Sequence, residues 1–189
     1  CVFQQTGNYL VKNAKLVKEQ NQTLSNNVIY LWKKYYPKSK LISIGANCAY
    51  SFHKSGFSYL KGRLFGGTKN FAQAKRLLAN KCKKLNHKHK MKYIILIPGT
   101  LIGPGEQLSD KKMHFFNGGL FRAALYKNNR IKKFDFIMNN NVIRELSSVD
   151  KVCDEIYQNL KNKKSGIINL LPEYRISLKQ YYDLIEKRL

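Results

Sequence analysis

Four cysteines, Cys1, Cys48, Cys82 and Cys153, are the candidate thiol nucleophiles and soft metal ligands of this sequence. No two stand in C-x-x-C spacing, and His87 and His89 have no cysteine nearby. That pattern argues against a zinc site and a disulfide framework, and fits a reducing, cytoplasmic compartment. The other residues able to do chemistry stand singly: Lys75 one helical turn beyond Phe71, then His114, Arg122 and Arg144. Taken one at a time, each has a plain structural reading. Cys48 is a small residue at a strand end, Phe71 packs on a helix's apolar face, and His114 begins a helix at solvent. The two arginines are solvated members of a set of 35 Lys and Arg. More distinctive is the loop Pro98-Gly99-Thr100-Leu101-Ile102-Gly103-Pro104-Gly105, which follows the apolar run Tyr93–Ile97. A turn-rich loop at the carboxyl end of a strand is where open parallel sheets bind ligands.

Several elements must position these residues. Short apolar runs alternate with amphipathic stretches, the pattern of an α/β protein with a parallel sheet. Val2-Phe3 reads as a strand stub. Residues 8–36 read as helix, with Leu24, Val28, Leu31 and Trp32 at helical spacing and Pro37 as the stop. Leu41–Ile44 is a strand, and Thr68 caps a helix running to about Leu85. Tyr93–Ile97 has the length of a buried strand and is too short to span a membrane. Beyond it come a helix over 112–126, a strand at 134–137, a helix over 149–160, a strand at 166–170 and a last helix from Ser177. Residues 1–110 therefore form a sheet domain and 111–189 a smaller cap whose strands and helices partly return to the sheet.

Composition adds a bound. At 189 residues with 43% hydrophobic and 12% aromatic content, the chain can build a packed core. The net charge of +24 raises a nucleic-acid or anionic-surface partner. Against this, the lysines are spread along the chain, and the densest run, Lys81 to Lys92, falls where a helix ends and basic side chains are favoured anyway. The sequence starts on Cys1-Val2-Phe3-Gln4 without a methionine or signal-peptide pattern, so an upstream segment is expected.

Five segments in order resemble the extended short-chain dehydrogenase/reductase superfamily (NAD-dependent epimerases and dehydratases), and within it the GDP-L-fucose-synthase-like branch. Ile44-Gly45-Ala46-Asn47-Cys48-Ala49-Tyr50 is similar to the strand-end motif G-S-S-C-x-Y. Phe71-Ala72-Gln73-Ala74-Lys75 occupies the place of Y-x-x-x-K, and Pro98 to Gly105 that of P-x-x-L-Y-G-P-G. Met113-His114 with Arg122, and Arg144-Glu145-Leu146 with Val149-Asp150, match two later motifs. The resemblance implies a partial Rossmann-like, doubly wound parallel sheet, NAD or NADP as cofactor, and a nucleotide-diphosphate 4-keto sugar as substrate. It also implies a homodimer through helices 8–36 and 68–85.

The same resemblance assigns roles residue by residue. Lys75 is the lysine that lowers the catalytic tyrosine's pKa so that the phenol passes a proton as hydride moves. The tyrosine itself is Phe71 here, and the serine that bonds the reacting oxygen is Ala46. Cys48 and His114 fall on an acid/base pair for epimerisation beside a ketone. Arg122 and Arg144 fall where the diphosphate is gripped. Ile44, Gly45, Ala46, Asn47, Pro98, Gly99, Thr100 and Leu101 match backbone that lines the nicotinamide. Two departures are expected to matter. Ile137 with Asn139-Asn140-Asn141 replaces a W-G-x-G turn, and no G-x-x-G-x-x-G occurs for the cofactor's pyrophosphate. About three strands with their helices are expected ahead of Cys1.

Overall fold

The computed structural model describes residues 12–54, 56–64, 66–105, 113–135, 139 and 141–189. The expected strand at Val2-Phe3 and the second half of the 134–137 strand, Ile137 included, lie outside these residues. Residues 134 and 135 themselves are not in a strand. The described residues form two compact units, one of residues 12–98 with 152–170, the other of residues 99–151 and 171–189.

In the first unit, helix α1 (Ala14–Tyr35) leads to strand β1 (Leu41–Ile44). A short 3-10 turn (Asn47–Ala49) and the hairpin β2 (Ser51–His53) and β3 (Gly56–Ser58) follow. Helix α2 (Lys69–His89) then feeds strand β4 (Tyr93–Ile97). Strands β1 and β4 pair in parallel, Leu41 opposite Tyr93 and Ile44 opposite Leu96, as the apolar runs predict. Helix α2 outruns its expected end near Leu85 because Asn86 to His89 continue it. Lys90 closes it in the left-handed conformation at φ 57°, and the Asn86 side chain donates to the Met91 carbonyl.

The all-apolar run of β4 is explained by its two covered faces. Side chains alternate across a strand. Tyr93, Ile95 and Ile97 join Trp32 of α1 with Ala72, Ala79 and Cys82 of α2 in one core. Ile94 and Leu96 join Val152 and Ile156 on the other face. The latter belong to α4 (Val149–Lys161), which feeds β7 (Gly166–Asn169), and β7 pairs in parallel with β4. The sheet order is thus β1-β4-β7 with helices on both faces, a doubly wound arrangement.

The second unit pairs β5 (Thr100–Ile102) in parallel with β6 (Ile143–Ser148), and β6 antiparallel with β8 (Tyr174–Ser177). Two helices, α3 (Phe115–Lys127) and α5 (Leu178–Glu186), contribute Phe116, Ala123, Leu178, Tyr181 and Ile185 to its core. Ser177 begins α5 with a full capping box closed by Gln180. Neither 143–148 nor 174–177 alternates cleanly enough in sequence to announce a strand, and their pairing is a finding of the structure. Among the described residues no helix is long and apolar enough to cross a membrane.

Candidate functional site

The first unit brings seven of the expected residues, Ile44, Gly45, Ala46, Asn47, Cys48, Phe71 and Lys75, together at the carboxyl end of β1. Chain direction changes at Gly45, whose N–H donates to the Leu96 carbonyl. A Cβ there would lie 2.8 Å from Ile97 and 3.0 Å from the Tyr59 hydroxyl, so only glycine lets the turn press onto β4. Ala46 follows in extended backbone and Cys48 sits in the 3-10 turn. Facing this turn is α2. Its Lys75 donates to the Ile44 carbonyl at 3.0 Å, and the ammonium lies 5.4 Å from the centroid of the Phe71 ring. The i, i+4 spacing puts both side chains on the helix face toward the strand end.

Among the described residues, electrostatics at this end are set by partial burial, with no carboxylate contributing to the shifts of Lys75 or Cys48. Burial holds the Lys75 ammonium below the usual lysine value, and the neighbouring Cys48 opposes that shift. Desolvation around its sulfur pushes the Cys48 thiol above its ordinary value, although the residue reaches the surface. A hydrogen bond from Thr68 and the charge of Lys75 pull the other way. Thr68 occupies the N-cap position of α2 but makes no side-chain cap bond. Its hydroxyl serves Cys48 instead, which corrects the expectation of a capping role.

These shifts give an expected result for alkylation. Peptide-level mass spectrometry of iodoacetamide labelling should place the midpoint of the Cys48 pH profile above that of a free thiol. Lys75→Met should move it higher still, because the one cation favouring the thiolate is gone. A midpoint below the free-thiol value, or none of this dependence on Lys75, would contradict the arrangement.

Three further residues complete this site, and two of them, Tyr59 and Arg76, had no signal in the sequence. Tyr59 is buried, 4% exposed, and its hydroxyl accepts from the Ala46 N–H at 3.3 Å. Burial pushes its phenol up to about 12. Arg76, only 8% exposed, is the second. It donates to the Ala49 carbonyl (2.7 Å), the Gly62 carbonyl (2.6 Å) and Ser51 Oγ (2.6 Å), so one guanidinium ties α2 to the whole 49–62 segment. Tyr50 is the third. It reaches across to β7, donating to Asn169 Oδ1 at 2.8 Å, and stacks in parallel on Phe57.

The remaining expected residues divide between the units. Pro98 ends β4 in the first unit. Gly99 enters β5 in the second, where a Cβ would lie 2.7 Å from the Glu145 carbonyl, and Thr100 and Leu101 run beside Leu146 and Ser147 of β6. His114 holds the N-cap position of α3, its carbonyl accepting from the Gly118 N–H. Arg122 lies on α3 and pairs with Asp135 at 3.5 Å. Arg144 is exposed on β6 opposite Ile176. Of the Asn139–Asn141 run, the Asn139 side chain accepts from the Asn141 N–H.

The sequence model of the NAD-dependent epimerase/dehydratase family matches residues 4–170. The chain belongs to this family. Among solved structures it is similar to a GDP-D-glycero-L-gluco-heptose synthase from Campylobacter jejuni, determined in the presence of NADPH, with TM-score 0.76 and 18% identity over 94% of this chain. A GDP-L-fucose synthetase from Naegleria fowleri gives TM-score 0.76 and 18% identity over 88%. A GDP-mannoheptose C4 reductase from Campylobacter jejuni, with NADP bound, gives 0.72 and 22% over 94%. The chain spans 64%, 54% and 62% of those three proteins. These likenesses establish the Rossmann-like α/β fold. No curated protein matches by sequence.

Proposed function

We propose that this epimerase/dehydratase-family chain serves a nucleotide-sugar epimerase or reductase of the GDP-fucose-synthase-like kind, with its proton-transfer step impaired. The observation that carries the reading is Lys75, whose ammonium is bonded to the Ile44 carbonyl beside position 71, with Cys48 as its electrostatic neighbour. A cation so held has a use where a phenol must ionise, and Phe71 has no proton to give. Ala46 likewise has no hydroxyl for the reacting oxygen, leaving only its N–H, which is bonded to Tyr59.

The residues of the β1 turn fit the nicotinamide end of NAD or NADP, since Gly45 keeps the backbone bare and Lys75 supplies the donor. The sequence carries no G-x-x-G-x-x-G for the pyrophosphate. When bound, the cofactor supplies or accepts the hydride. This chain's own part is to orient the sugar and move protons at its carbons. Cys48, neutral near pH 7, can donate a proton there but is a poor base, and His114 is assigned as its partner. Arg122 and Arg144 are assigned to the diphosphate, for which the planar guanidinium offers paired donors.

Calorimetric titration of the chain with GDP and with UDP tests the substrate assignment. At least one should bind, and Arg122→Ala or Arg144→Ala should each weaken it by about tenfold or more. Arg144→Lys should restore little, because charge without the fork loses the bidentate contact. Affinity unchanged by either substitution would sink the diphosphate assignment.

A further inference from the structure

The edge of the parallel sheet opposite the candidate site is an extreme of charge. From Gln20 to Gly105 the sequence has no Asp or Glu and sixteen Lys or Arg. Because β1, β4 and β7 are parallel, the segments leading into them all emerge at one edge, their amino ends. Into β1 run Lys33, Lys34, Lys38 and Lys40; into β4, Lys83, Lys84, Lys88, Lys90 and Lys92; into β7, Lys161, Lys163 and Lys164. What the sequence spreads over 130 residues, the topology gathers.

These segments are welded together. Lys40 donates to the Asn159 carbonyl (2.7 Å) and to that of Asn162, at the end of α4, while the Leu41 N–H donates to the Lys92 carbonyl. The Tyr93 N–H donates to Ser165 Oγ. Desolvation, and then repulsion from Lys92, hold Lys40 below the usual lysine value, as expected where cations crowd. Aromatic rings stand among the cations: Tyr30 and Tyr35 are each 56% exposed, Tyr36 64% and Tyr157 59%. The Lys34 ammonium lies 5.3 Å and 5.1 Å from the centroids of Tyr30 and Tyr35, and Lys161 lies 4.7 Å from that of Tyr157.

We propose that this lysine–tyrosine edge is a docking surface for single-stranded RNA. The three segments meet at this edge with α1 and α2 on one face of the sheet and α4 on the other, so the lysines and rings form one band across the three layers. Lysines along the band neutralise phosphates, and exposed rings beside them offer stacking platforms for unpaired bases. The rings are all tyrosines, so each also brings a hydroxyl able to bond a ribose 2′-hydroxyl. The surface is independent of the nucleotide-sugar reading, lying at the edge of the sheet away from the candidate site.

Fluorescence anisotropy of a labelled uridine 20-mer, run over a series of salt concentrations, tests this. Lys34→Glu, Lys88→Glu and Lys164→Glu together should weaken binding more than about tenfold and reduce the salt slope by about 2, three contacts at ~0.7 each. Lys54→Glu, Lys61→Glu and Lys69→Glu make the same charge change at the carboxyl edge and should leave affinity within about threefold. Tyr35→Ala with Tyr36→Ala, which keeps every charge, should cost on the order of tenfold. Equal losses from the two lysine triples would overturn the proposal in favour of diffuse attraction. So would equal affinity for the deoxyuridine 20-mer, or tighter binding to phosphatidylserine vesicles that ignores the tyrosine change.

Discussion

Phe71→Tyr combined with Ala46→Ser should raise turnover of a nucleotide-linked 4-keto sugar by about 100- to 10,000-fold, the usual worth of a general acid/base. The test uses this chain extended at its amino end by a strand–G-x-x-G-x-x-G–helix unit, with single-turnover oxidation of NADPH as the readout. Both changes fit the local geometry. Position 71 already lies beside the Lys75 ammonium, which would draw down the pKa of a phenol placed there. Ala46 has ordinary extended backbone, φ −148° and ψ 133°, which serine accepts without strain. The pair should act more than additively, because the two hydroxyls serve one transition state. Nucleotide binding should be the same with and without them. Fast turnover by the extended chain before any substitution would show that Cys48 or His114 has taken the tyrosine's part. Intact binding with no gain would leave binding as the surviving function.

The largest loss of stability is expected from Arg76→Ala. The substitution strands the Ala49 and Gly62 carbonyls, both now satisfied by one charged donor group, and removes the bond that Ser51 Oγ accepts, leaving that hydroxyl only its own bond to the Lys61 carbonyl. Hydrogen bonds to a charged group contribute about 1.5–3 kcal/mol each and are not additive, so a cost of about 3–5 kcal/mol is expected. For a chain of this size that is a fall in Tm on the order of 10 °C by differential scanning fluorimetry. Arg76→Lys should recover only part of it, since a single ammonium cannot hold three partners in the same fork geometry. Because the guanidinium pins the segment that carries Tyr59, Cys48 alkylation should also lose its dependence on Lys75 in Arg76→Ala. A shift of less than about 2 °C would mean that the 49–62 segment is held by its apolar contacts, Ala49 and Tyr59 in the main core, and not by Arg76.

The short-range features of this protein were legible in its residues. Five apolar residues from Tyr93 to Ile97, flanked by an amphipathic helix and a Pro-Gly turn, can satisfy their backbone only inside a sheet covered on both faces, which is where they are. The order of strand end, helix and second strand end identified the family, and the spacing of Phe71 and Lys75 placed them on one helical face. Periodicity and spacing carry this information because they depend on neighbours within a turn or two of the chain. Partnerships across longer separations were decided by the tertiary structure. That Thr68 turns from its helix to Cys48, that Arg76 gathers three acceptors 14 to 27 residues away, and that Tyr59 receives the Ala46 N–H all depend on where the 49–62 loop returns. The lysines show the same division. Spread along the sequence they read as solvated charge, and the parallel topology alone, by sending three helix ends to one edge of the sheet, makes them a single surface.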